Sequence, residues 1–186
     1  MAQLPQILQI QLSERKPRVF APGDLLASPA RLETTVWYLH DGLVRLFSLA
    51  EGGSEHVHGF HGADEWVHGR LSSAALPDCC DAGALGLQAL QTTRGTGFRL
   101  EELDEWGRND PALAHYLLTR LMTMNAARLD REAALLTRSA EQRYLGLLAK
   151  QPQLLESVRL QDVAAWLGVT PVALSRIRRR VRQREA

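Results

Sequence analysis

Cysteine is nearly missing from these 186 residues: only Cys79 and Cys80 occur, side by side. Two adjacent thiols make no disulfide framework, and they are too few for a four-thiolate zinc or iron-sulfur site within one chain. A ring closed between neighbours would be strained, and no lysine or arginine stands beside them to favour a thiolate, so the pair reads as structural. Long apolar runs are lacking as well. The N-terminus, MAQLPQILQIQLSERKPR, has no basic segment followed by an apolar core. Neither a signal peptide nor a membrane span is expected, and the expected location is the cytoplasm. With 45% apolar and 23% charged residues, the composition is that of a folded globular chain.

Charge of one sign is also scarce overall, but not locally. The chain is formally at +1, yet residues 159 to 186 hold seven arginines against Asp162 and Glu185, a local excess of +5 that leaves the remainder at −4. An acidic body with a basic tail points to a polyanion met by the tail alone. Cations at a helix C-terminus are favourable on dipole grounds too, so charge by itself leaves both readings open.

From Arg18 to about Arg99 the chain reads as short strands between turn signals: Pro22-Gly23-Asp24, Asp41-Gly42, Glu51-Gly52-Gly53 and Gly95-Thr96-Gly97. Val36 to His40 and Leu43 to Leu49 have the β-branched, aromatic and alternating character of half-buried strands. After residue 100 the pattern turns helical. Asp110 is suited to N-cap a helix opened by Pro111, with no Gly or Pro before Leu136. That helix carries two apolar stripes: Leu113, Leu117, Leu121 and Met124, and beside it Leu118, Met122, Ala126, Leu129, Ala133 and Leu136. One stripe can pack on the helix's own domain. A second copy is the simplest cover for the other, and the first stripe is taken as the dimerisation seam. Ser139 and Gln142 have capping-box spacing and start a further helix.

Residues 160 to 177 meet the steric demands of a helix-turn-helix. Ala164 is small where two helices must cross. Gly168 suits the left-handed turn, and Val163, Leu167, Val169, Leu174 and Ile177 are apolar at core positions. Thr170 caps the second helix and Pro171 opens it. That helix is the one expected in the DNA major groove, with Val172, Ser175 and Arg176 toward base edges. Arg176 suits a guanine and Val172 a thymine methyl. The arginines from Arg178 to Arg184, including Arg179 and Arg182, are expected at phosphates.

Several segments together resemble the bacterial Crp/Fnr superfamily of transcription regulators over about residues 18 to 182. They are Val19-Phe20-Ala21-Pro22-Gly23-Asp24, Val36-Trp37-Tyr38-Leu39 leading to Gly42-Leu43-Val44-Arg45-Leu46, and Leu87-Gln88-Ala89-Leu90. The C-terminal ones are Ala140-Glu141-Gln142-Arg143-Tyr144-Leu145 and Val163 to Arg180. The resemblance implies an α+β chain: a cyclic-nucleotide-binding-like β roll (jelly roll) at 1–110, a long dimerisation helix and hinge at 111–138, and a helix-turn-helix domain at 139–186. It also implies a homodimer, double-stranded DNA and RNA polymerase as partners, and no catalytic activity or cofactor.

Three departures limit it. Between Trp66 and Leu87 the Gly-Glu-Leu turn and the Arg-Ser or Arg-Thr pair of cyclic-AMP binders are missing, and Asp78-Cys79-Cys80-Asp81 stands near the place of the arginine. Cyclic AMP is therefore not expected, and the effector stays unspecified. Pro171-Val172 replaces the Arg-Glu that often begins the recognition helix, so no operator carries over. The β wing is expected to be short or missing. A rival reading is a metal-dependent cupin-like enzyme or metal-sensing regulator. His56 and His58 share a strand face, with His61, Glu65 and His68 after them. The carboxylate spacing does not fit the cupin motif, and no later histidine completes it.

Overall fold

The computed structural model of the protein describes residues 4–30, 33–50, 52–69 and 85–185. Cys79, Cys80 and the acidic residues flanking them lie outside the described residues. So do residues 70–84, most of the stretch that lacks the turn and the arginine pair of cyclic-AMP binders.

Among the described residues, eight strands form two antiparallel four-stranded sheets. They are β1 (Arg18–Phe20), β2 (Leu25–Ala27), β3 (Thr35–Asp41), β4 (Val44–Leu49), β5 (Glu55–His61), β6 (Trp66–His68), β7 (Leu85–Ala89) and β8 (Thr93–Arg99). One sheet has the order β1-β8-β3-β6, the other β2-β7-β4-β5. The turn from β3 to β4 is possible because Gly42 sits at φ 93°; a Cβ there would lie 2.6 Å from the Thr93 Cα.

β3 explains why simple alternation understates this roll. Side chains on a strand point to opposite faces in turn. Trp37 and Leu39 enter the core between the sheets with Phe20, Leu26, Val44 and Leu87. Val36 and Tyr38 enter a second core on the other face, made with Trp66, Phe98 and three helices. Those helices are α1 (Gln6–Glu14), α2 (Leu100–Asn109) and α3 (Pro111–Thr137). Helix α1, ahead of the expected start of the roll, contributes the fully buried Leu8. Arg15, just past its end, meets the Glu102 carboxylate with both terminal nitrogens at 3.2 Å, and its guanidinium lies over the rings of Phe98 and Trp106.

Asp110 caps α3 as expected, its carboxylate accepting from the Ala112 and Leu113 amides at 2.9 and 3.2 Å. The apolar stripes need a correction. Leu113 is fully buried in the second core, Tyr116 joins it and Leu117 packs against it, so the beginning of the assigned dimerisation seam covers the chain's own roll. Further along, Met124 is half-buried, while Leu118, Leu121, Met122 and Leu129 are more than half exposed. The open apolar surface of α3 thus mixes the two stripes. Rotation accounts for 118 and 122, which at about 100° per residue point away from 113, 116 and 117, whereas 121 lies beside that buried face but beyond Leu117, the last residue of α3 that packs on the second core.

Past α3 the chain is helical: α4 (Ala140–Lys150), α5 (Pro152–Ser157), α6 (Leu160–Leu167) and α7 (Pro171–Glu185). The chain divides into two compact units at Thr123/Met124, within α3, and Glu55–Val57 clusters with the second. Among the described residues no strand follows α3, so none flanks α6 and α7 as a wing. None of these helices is long and apolar enough to cross a membrane.

Arg15, beside it, holds the Glu102 carboxyl below the ordinary carboxylate range, with the Arg99 amide helping at 2.9 Å. A depressed folded pKa stabilises above the unfolded value, about 4.3, and the gain is lost as pH falls through the folded value. Both partners are about one-third exposed, so the contribution is at most about 1 kcal/mol. Glu102→Gln should lower Tm near neutral pH, and the gap from wild type should close in acid. A gap that stays constant from pH 7 to 3 would contradict the assignment.

Candidate nucleic-acid interface

The C-terminal end of α6 determines how α7 is presented. Its last four carbonyls have no partner within the helix. Val169 N–H closes on the Ala164 carbonyl at 3.0 Å and Gly168 N–H on that of Ala165 at 3.2 Å. Gly168 is left-handed, with φ 68° and ψ 37°, the conformation that lets the chain reverse. The two remaining carbonyls are met by arginines from other helices. One Nη of Arg131, on α3, donates to Trp166 O at 2.8 Å and also to Val57 O at 2.8 Å. Arg143, on α4, donates Nε and Nη2 to Leu167 O at 3.1 and 2.9 Å, and Nη1 to Arg138 O. Cations are favoured at this negative end of the helix dipole. The Arg131 guanidinium is held below its ordinary pKa, mainly by burial and then by Arg143, but an arginine remains charged at any working pH.

Neither arginine was singled out from the sequence. Arg143 lies in the segment that resembles the Crp/Fnr pattern, but nothing local announces that it reaches Leu167, 24 residues away.

The turn itself follows the sequence reading. Thr170 caps α7, its hydroxyl accepting the Ala173 amide at 3.2 Å, and Pro171 holds the first helical position. Val163, Ala164, Leu167, Leu174 and Ile177 are buried and Val169 is half-buried. Val181, which the sequence reading left out, extends the same core one turn further.

On α7, Leu174, Ile177 and Val181 point inward, so at about 100° per residue Val172, Arg176, Arg179 and Gln183 share the opposite, outward face. Val172 is 63% exposed there. Ser175, Arg182 and the half-buried Arg178 lie on one shoulder of that face. With Arg179 and Gln183 they line a shallow concavity of about 430 Å³. Among the described residues none of Arg176, Arg178, Arg179 and Arg182 forms an ion pair. Arg180 and Arg184, on the other shoulder, depart from the expectation for this run: both pair with Glu141 on α4.

The histidines do not converge. His58 pairs with the Ser48 hydroxyl, His61 with Glu65 and His68 with the Gly69 carbonyl. Among the described residues no group of three metal-binding side chains comes together.

No protein-family model matches this sequence, and no curated protein is similar enough in sequence to count as a relative. Solved structures do match. FixK2 from Bradyrhizobium japonicum superposes with a TM-score of 0.76 at 15% identity, over 91% of this chain and 85% of that one. A CooA mutant from Carboxydothermus hydrogenoformans gives 0.73 at 16%, over 98% and 85%. A protein from Eubacterium rectale, assigned to the crp/fnr family of transcriptional regulators, gives 0.74 at 13%, over 97% and 85%. The chain has the Crp/Fnr fold. Roll, long helix and terminal helix-turn-helix occur here in the order expected from sequence.

Gly168→Ala should cost about 1 to 2 kcal/mol, because a Cβ strains the left-handed backbone. Space is not the cause, since the nearest atom to that Cβ, on Leu135, would be 3.4 Å away. Gly168→Asn should cost less, because asparagine tolerates this conformation. Equal losses in chemical denaturation would point instead to crowding.

Proposed function

We propose that the chain is a sequence-specific DNA-binding transcription regulator of the Crp/Fnr type that works as a homodimer. The observation that carries this reading is the outward face of α7, where arginines without ion pairs among the described residues stand on the second helix of a helix-turn-helix. A major groove admits such a helix. Arg176, at the middle of that face and one turn past Val172, is assigned to a guanine edge, and Val172 to a thymine methyl. Ser175 lies beside them, with Thr170 and Pro171 at the entry. Arg178, Arg179 and Arg182 line the concavity with Gln183 and are assigned to phosphates.

The dimer is assigned to the exposed part of α3, including Leu121 and Met122, at 58% and 66% exposure, with Leu118 and Leu129. A contiguous apolar strip of this kind on a soluble chain is ordinarily covered by a partner.

Selection of bound sequences from random duplexes supplies the operator, and one titration series then tests the assignments. Arg176→Ala should lose about 1 to 3 kcal/mol on the operator, mostly at one base pair per half-site. Arg179→Ala and Arg182→Ala should weaken operator and scrambled duplex alike and flatten the salt dependence by about one ion each. Leu121→Glu with Met122→Glu should give monomers by light scattering and weaken operator binding. Equal losses of Arg176→Ala on both duplexes would remove its base-reading role.

The reading leaves out cyclic AMP, because residues 66 to 87 offer neither the Gly-Glu-Leu turn nor an Arg-Ser pair for the cyclic phosphate. Calorimetry should detect no binding, and a low-micromolar dissociation constant would overturn this.

A further inference from the structure

Helix α4 sets a carboxylate against the most basic helix of the protein. Glu141 is one-fifth exposed, and its two oxygens are divided between two arginines of α7. Arg180 Nη2 lies 3.2 Å from Oε2, and Arg184 Nη1 hydrogen-bonds Oε1. The two arginines are one helical turn apart, so their side chains lie over the same shoulder. Their own side chains remain 57% and 70% exposed.

Exposed ion pairs add little to stability, so holding the fold together is a poor account of this carboxylate. Toward a polyanion the same pairs count for more. Each arginine that neutralises a phosphate adds about one ion to the salt dependence of binding, and its contribution at moderate salt is large because counterions are released. Of the six arginines on α7, four are without ion pairs among the described residues, and two are held by Glu141. Glu141 also places a negative charge beside a surface that would face phosphates.

We propose that Glu141 limits the sequence-independent affinity for DNA by keeping Arg180 and Arg184 on the protein and off the phosphates. This rests on the DNA-binding reading of α7 and deepens it. Base reading stays with Arg176 and Val172, on the outward face, while the shoulder toward α4 is electrostatically muted. The outcome is a recognition helix whose backbone grip is set by three arginines, Arg178, Arg179 and Arg182, when five besides Arg176 are present. Such a limit matters to a protein that must leave the excess of non-specific sites in a genome.

The test uses the full-length chain on the selected operator and on a scrambled duplex, each at several salt concentrations. Glu141→Gln keeps the side-chain volume and removes the charge. It should tighten binding to both duplexes by on the order of tenfold at 0.1 M salt and steepen the salt dependence by about one to two ions per recognition helix. Adding Arg180→Gln and Arg184→Gln to that variant should erase the gain. In the wild-type background the same two changes should leave both duplexes nearly unaffected, and this arm carries the test should Glu141→Gln not fold. An unchanged salt dependence in Glu141→Gln overturns the proposal while leaving the DNA-binding reading standing. So does a loss of affinity in Arg180→Gln/Arg184→Gln as large as that of Arg179→Gln. A wild-type chain that binds no duplex at any salt overturns both.

Discussion

A helix that ends inside a protein must find partners for its last four carbonyls, and at α6 that requirement governs the helix-turn-helix. Ala164 and Ala165 are satisfied by the turn itself, Trp166 and Leu167 by the guanidinium groups of Arg131 and Arg143. The first pair of bonds needs a left-handed residue, which Gly168 supplies. The second pair needs α3 and α4 to be in place. The direction in which α7 leaves the turn is therefore set jointly by a local rule and by two distant side chains. Losing either arginine would leave a carbonyl at the crossing short of a donor, at a cost of about 1 to 3 kcal/mol where it is buried. The outward face of α7 exists only because its inward face, Leu174, Ile177 and Val181, is pinned to the same crossing.

This division also explains what the amino-acid order made legible. The helix-turn-helix could be read because its demands are steric and close in sequence: a small residue, a glycine, a cap and a few apolar positions. The opening of α3 was legible for the same reason, through Asp110 and Pro111. The partner of each stripe on α3 was not. Leu113 and Leu121 have the same chemistry and fall near one another in the helical projection. Only the placement of α1, α2 and the first sheet decides that one is sealed and the other open. Helix α1 itself escaped the sequence reading. It is nine residues long, without a side-chain cap, and too short to be stable alone, so its helicity comes from docking Leu8 and from the Arg15–Glu102 pair.

Arginines were the hardest residues to assign. In sequence, Arg131, Arg143, Arg176 and Arg180 are all basic residues on helices. In the fold, the first two satisfy carbonyls, the fourth meets a carboxylate, and Arg176 meets no carboxylate among the described residues. No periodicity separates these roles, because they depend on what the facing helix carries. The histidines make the same point from the other side. Spacing two apart on β5 gave a metal reading, yet His58 turns to Ser48, and His61 is joined to Glu65, four residues on. Strand geometry puts alternate side chains on one face, but a metal needs a third ligand from elsewhere.

The length of α7 bears on how its cations would share the DNA surface. From Val172 to Arg182 the axis advances about 15 Å at 1.5 Å per residue. The major groove is only about 12 Å wide, so a helix entering it N-terminus first presents bases to its first two turns and backbone to the rest. Val172, Ser175 and Arg176 fall within those turns, whereas Arg179 and Arg182 fall at or beyond the groove edge. Phosphates lie on both sides of a groove, and both shoulders of α7 carry arginines. On one shoulder Arg178 and Arg182 stand without ion pairs among the described residues. On the other, Arg180 and Arg184 are turned onto Glu141. A symmetric cation distribution along the sequence is thus asymmetric in the fold. On the DNA-binding reading proposed above, an asymmetric helix would be drawn toward one wall of the groove, which would fix its rotation about its own axis. That rotation would decide which side chains meet base edges, so the shoulder charges would bear on the reading without touching a base.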